Sequence, residues 1–115
     1  MKNSNLFEEV PIGTFLYGVH SHIYHENGLP YEEFVVLTER VKAHITYGYN
    51  EVRTSDGATP YYYQAKDFGK KVFFTAKEAA QEALRRTIES DQTWTKYGEP
   101  PMRRTWEKYL EEGKE

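Results

Sequence analysis

Around Thr75 the spacing of apolar residues changes from alternation to the three-and-four interval of a helix. No other feature of this chain limits its fold as much. Thr75, Ala76, Lys77 and Glu78 have the T-x-x-E form of a capping box, in which the Thr hydroxyl accepts from the amide three residues on and the Glu carboxylate accepts from the Thr amide. Ala76, Ala79, Ala80, Ala83, Leu84 and Ile88 then recur on one side, with Lys77, Gln81, Glu82, Arg85 and Glu89 on the other. The pattern predicts an amphipathic helix over about 76–90. Its apolar face is mostly Ala, so the axis can lie close to a neighbouring surface, expected to be the strand that carries Val72, Phe73 and Phe74. Glu82 and Arg86, four apart, add about 0.3–0.5 kcal/mol.

Before this point the chain reads as short strands joined by tight turns. Residues 1–10 show no periodicity and are expected to be an extended lead-in to a β-rich body over about 13–74. Phe15, Tyr17, Val19 and Ile23 alternate with Leu16, Gly18, His20, His22 and Tyr24, the pattern of a strand with one buried face. Asn27-Gly28 marks a turn, and Phe34-Val35-Val36-Leu37, apolar throughout, reads as a central strand covered on both sides. The polar triplet Thr38-Glu39-Arg40 separates it from a further strand, in which Val41, Ala43, Ile45 and Tyr47 face one way and Lys42, His44 and Thr46 the other. Gly48-Tyr49-Asn50 and Asp56-Gly57 mark turns on either side of a short strand over Glu51–Thr54. Tyr61 to Ala65 and Lys70 to Phe74 complete about six strands. Such spacing predicts sequential antiparallel pairing in a small barrel-like sheet.

Beyond the helix, Asp91 to Glu99 reads as a loop. Pro101 suits a first helical turn, and Met102, Trp106, Tyr109 and Leu110 predict a second short helix over about 101–112, ended by Gly113. The expected fold class is α+β: an antiparallel β-barrel-like sheet covered by two helices over 75–112. At 115 residues this makes a single domain the expectation.

The chain has no Cys, which removes disulfides, thiolate chemistry and Cys-ligated zinc. Its net charge is −3. Residues 1–59 hold 4 Lys/Arg against 8 Asp/Glu and residues 60–115 hold 11 against 10, so any basic surface is expected in the C-terminal half. No apolar run reaches the roughly 18–20 residues of a membrane span and no signal-peptide core follows Met1, so a cytoplasmic location is expected. The 10 Tyr in an aromatic content of 16% suit half-buried strand faces.

The phrase "DFGKKVFFTAKEAAQEAL", preceded by "PYYYQAK", resembles a motif of form FGxxVFxTxxEA that ends many small uncharacterised proteins of Firmicutes phages and prophages. The likeness covers Pro60 to Leu84, with a looser echo in "EFVVLTERVKAHI". Where that family has Leu after the Phe and an acidic pair in the helix, this chain has Phe74 and Ala-Lys-Glu. The resemblance implies a β-rich body leading into a helix and a phage accessory role, with no activity or catalytic residue transferred.

The residues outline three surfaces. His20 and His22 share a strand face and, with His25 nearby, invite a metal reading. His44, Glu26 or Glu32 is the third ligand only if the fold brings one of them close, and a polar strand face is the simpler account. Tyr61, Tyr62 and Tyr63 beside Lys66, Lys70 and Lys71 have the ring-plus-cation character of a single-stranded nucleic-acid binder, although alternation puts Tyr62 on the face opposite Tyr61 and Tyr63. Met102, Trp106 and Tyr109, with Arg103 and Arg104, form an aromatic and basic face that either closes the core or meets a protein partner. The adjacent carboxylate pairs point apart, and no nucleophile elbow, H-E-x-x-H, P-loop or dinucleotide glycine pattern is present. The expectation is a non-enzymatic protein without a cofactor. It would act by contact with a host or phage macromolecule, with inhibition of a bacterial defence system as one version, and homo-oligomer formation is compatible with it. A nucleic-acid module and a small-molecule- or metal-binding protein are the alternatives.

Overall fold

The computed structural model describes the backbone of residues 1–26 and 28–94. Five strands, β1 (Phe15–Glu26), β2 (Leu29–Thr46), β3 (Asn50–Ser55), β4 (Pro60–Tyr63) and β5 (Val72–Phe73), combine with helices α1 (Leu6–Glu9) and α2 (Ala76–Trp94). The fold is α+β, and the strands lie in one sheet in the order β4-β3-β2-β1-β5. The sheet is open, in contrast to the barrel-like closure expected from six strands. Between β4 and β5 the chain forms a 3-10 turn, Ala65–Asp67, and β5 is two residues long. The two edge strands therefore never form a ladder with each other, although Tyr63 and Val72 enter the same core cluster.

Two of the six expected strands are one. β2 runs unbroken through Thr38-Glu39-Arg40, because the side chain of Glu39, whose polarity made this triplet read as a separation between strands, is buried and hydrogen-bonded. β2 is the middle strand of the sheet, as its apolar run predicts, but the run is not fully covered on both sides: Phe34 is buried and Val35, Val36 and Leu37 are half-buried.

A bulge then resets the faces of β2. Val41 pairs with Thr54 and Ala43 with Arg53, which leaves Lys42 as the extra residue and inverts the alternation beyond it. Ala43 and Ile45, expected on the side of Val41, instead lie opposite Arg53 and Glu51, while His44 lies opposite the buried Val52.

The chain divides into two compact units, residues 1–18 with 37–75, and residues 19–36 with the segment that begins at Ala76. In the first unit Leu6, Val10, Leu16, Val41, Val52, Tyr63 and Val72 make the core, with Phe7, Tyr61 and Phe68 packed against it. Residues 1–10 are thus not an extended lead-in. A 3-10 turn, Asn3–Asn5, leads into α1, and Leu6 and Val10 are fully buried, which stabilises by roughly 1.5–3 kcal/mol each. Phe7 stacks on the His44 ring at 4.3 Å, His44 Nε2 donates to the Val10 carbonyl at 2.7 Å, and the Asn50 amide donates to Asn3 Oδ1.

In the second unit Val19 and Phe34 are buried on the strands, and Ala76, Ala79, Ala80, Ala83, Thr87 and Ser90 on α2. The helix starts directly after Thr75, where the capping box places it, and continues to Trp94, so Asp91–Trp94 are helical where a loop was expected. The Thr87 hydroxyl donates to the Ala83 carbonyl, and Ser90 Oγ donates to Glu32 on β2. On the exposed side Glu82 accepts from both Arg85 and Arg86. The helix predicted over 101–112 lies outside the described residues.

Candidate functional site

The first unit presents two faces of very different chemistry. On the inner face an acidic side chain is sequestered. Glu39 is 1% exposed, and its Oε1 accepts from Thr54 Oγ1 at 2.6 Å and from the Tyr63 hydroxyl at 2.8 Å, with Oε2 3.0 Å from the same hydroxyl. Burial, followed by the charge of Glu39 and the hydrogen bond to it, pushes the Tyr63 hydroxyl far above the usual phenol range, so it stays a donor at neutral pH. A buried carboxylate is tolerated when its oxygens are hydrogen-bonded in this way. The arrangement locks β2, β3 and β4 together.

On the outer face, rings and guanidinium groups stand in solvent. The β3–β4 register places Arg53 opposite Tyr62 and Ser55 opposite Pro60, and the β2–β3 register adds Arg40 beside Ser55 and Ala43 beside Arg53. Cross-strand partners share a face. Tyr62 is 52% and Phe15 56% exposed. The Arg40 guanidinium lies over the Phe15 ring, 5.7 Å from its centroid, a cation–π contact of about 0.5–1 kcal/mol at an exposed site.

The turns fix this arrangement. Gly13, in the turn just before Phe15, takes φ +97°, a conformation that favours glycine, while a Cβ there would make only ordinary contact with Arg40 Nη2 at 3.7 Å. Between β3 and β4 the loop comprises Asp56, Gly57, Ala58 and Thr59. Asp56 Oδ1 accepts from the amides of Ala58 and Thr59, Gly57 takes φ +104°, and Asp56 Oδ2 accepts from the Tyr61 hydroxyl. This loop, four residues long, sets Tyr62 against Arg53.

The structure separates the residues singled out from the sequence. Of the Tyr run, Tyr63 is buried on Glu39, Tyr61 packs against the core and bonds Asp56, and Tyr62 alone of the three is exposed. Lys70 and Lys71 adjoin β5, at the sheet edge opposite β4, and Lys71 lies 3.8 Å from Asp67. Rings and lysines thus do not meet on one strand face. His20 is partly exposed and His22 exposed, while His44 is engaged with Val10 and Phe7. Among the described residues no three His, Asp or Glu side chains are grouped to hold a metal ion. Met102, Arg103, Arg104, Trp106 and Tyr109 lie outside the described residues. The sequence reading missed Phe15, Arg40 and Arg53 as residues of the same face as Tyr62, and the Asp56-Gly57 turn signal could not have found Arg53, because the loop that sets Arg53 across from Tyr62 is four residues long.

Among the described residues no helix is long and apolar enough to cross a membrane. No protein-family model, curated protein or solved structure matches the chain.

Proposed function

We propose that the chain is a non-enzymatic phage or prophage accessory protein that acts in the cytoplasm of its bacterial host by binding a host or phage macromolecule. The observation that supports binding is the outer sheet face, where Tyr62, Arg53, Arg40 and Phe15 stand exposed on strands. Aromatic rings and arginines are the side chains that contribute most to binding energy at interfaces, and strands hold them in fixed positions. The acid on the opposite face, Glu39, is committed to Tyr63 and Thr54. The phage context rests on the resemblance of Pro60 to Leu84 to the strand–helix motif of small phage proteins. Inhibition of a bacterial defence system is the specific version, a role such accessory proteins often have. In this reading the terminal segment with Met102, Trp106 and Tyr109 is a second contact surface.

Capture of bound macromolecules from host lysate by the full chain, with the Tyr62→Ala and Trp106→Ala variants alongside, tests the proposal. Wild type is expected to retain a defined protein or nucleic acid that Tyr62→Ala loses. An identical set of bound species from wild type and both folded variants contradicts it.

A further inference from the structure

We infer that the outer face of the first unit binds single-stranded nucleic acid, with Tyr62 and Phe15 as stacking surfaces for bases and Arg53 and Arg40 as partners for the phosphates between them. This names the macromolecule of the binding reading above and rests on it. A single strand offers unpaired π faces and a negative charge at every nucleotide, and each half of this face matches both. Arg53 stands directly across from Tyr62, so a base stacked on the ring brings its phosphate within reach of the guanidinium. On β1 and β2 the Arg40 guanidinium lies over the Phe15 ring, so there ring and guanidinium form one stacked pair whose open face meets a base. The two rings are three strand spacings apart across the sheet, roughly 14 Å at about 4.8 Å per strand, and Tyr62 is two residues along β4 from Pro60 in the row of Arg40, roughly 7 Å more, a separation of about 16 Å or about five nucleotides at the stacked rise of ~3.4 Å.

The charge on this face differs from that of the whole chain. Of the six acids in the first unit, Glu39 is buried on the inner face, Asp67 is buried with its Oδ2 accepting from the Gln64 amide, Glu8 and Glu9 lie on α1, and Asp56 sits in the β3–β4 loop with its carboxylate accepting from Ala58, Thr59 and Tyr61. Glu51, opposite Ile45, shares the outer face with the two arginines. A purely acidic peptide would use the guanidinium groups and leave the rings wet, and a purely apolar one would desolvate the arginines, while a mixed protein surface is the outcome that capture of a Tyr62-dependent protein without strand binding would show. A duplex hides its base faces. A single strand satisfies rings and charges together.

Fluorescence anisotropy over a salt series, with labelled oligo(dT), oligo(U) and a duplex of equal length, tests the inference on the full chain. Both single strands should bind more tightly than the duplex. Two arginine–phosphate contacts give a slope of log affinity against log salt of about −1.4, and Arg53→Gln reduces it by about 0.7. Tyr62→Ala should weaken binding at least ~5-fold through lost stacking. Both side chains are exposed, so thermal unfolding by circular dichroism should show both variants folded. The inference is overturned if wild type binds neither single strand at the lowest salt, or if both variants bind as wild type does. In the first case, a captured protein that depends on Tyr62 leaves the broader binding reading standing, and the absence of any such partner overturns both.

Discussion

A carboxylate taken out of water as completely as Glu39 stabilises a fold only while its hydrogen bonds are kept. Tyr63→Phe keeps the ring in the core and removes the hydroxyl that meets both carboxylate oxygens. The expected loss is about 1.5–3 kcal/mol, seen as a lower urea midpoint with the slope unchanged. Asp56 makes a pH-dependent contribution. The amides of Thr59 and Ala58 donate to its carboxylate and hold its pKa below the ordinary 3.8. A lowered folded value means that the stabilisation is complete above about 3.8 and is lost as pH falls through the lower, folded value. A carbon-detected NMR titration should therefore place the Asp56 midpoint below 3.8, and Asp56→Ala should remove that acid step from the stability profile. Neither role is legible from residue type alone. Thr38-Glu39-Arg40 looks like a break in a strand because a Glu with no visible partner belongs in solvent, and its partners are 15 and 24 residues away.

Elements were readable where one local rule decided them. The helix start after Thr75 follows from capping and periodicity, both contained within a few residues. Register was less accessible. A two-residue Asp56-Gly57 hairpin would pair Ser55 with Ala58 and set Tyr62 against Glu51, whereas the longer loop pairs Ser55 with Pro60 and Tyr62 with Arg53. Both registers keep Tyr61 and Tyr63 on one face, which is why alternation separated them correctly from Tyr62. The Lys42 bulge has no sequence mark, and beyond it the faces of Ala43, His44 and Ile45 are exchanged relative to simple alternation. The N-terminal turn was missed because Leu6 and Val10 are too few to show a period. Leu6→Ala distinguishes a docked turn from a lead-in. With Leu6 fully buried in the core cluster, the variant should lose about 2–5 kcal/mol in chemical denaturation, whereas a change in an exposed tail stays within about 0.5 kcal/mol.

For the molecule as a whole, the α+β class and the strand-to-helix switch were legible, and the surface chemistry was not. The first unit turns one acid, Glu39, inward and its rings and guanidinium groups outward at Phe15, Arg40, Arg53 and Tyr62. That division depends on which residues meet across strands, so the Tyr run in the sequence pointed to nucleic-acid chemistry while naming lysines that lie at the other sheet edge. The central claim is that this outer face is where the protein meets its macromolecule. Photocrosslinking in host cells tests it most directly, with Tyr62→p-benzoylphenylalanine compared with the same replacement at Lys77, an exposed residue of α2. A discrete adduct at position 62 that is missing at 77 is the predicted result, and no adduct at 62, or the same adducts at both positions, would contradict the account.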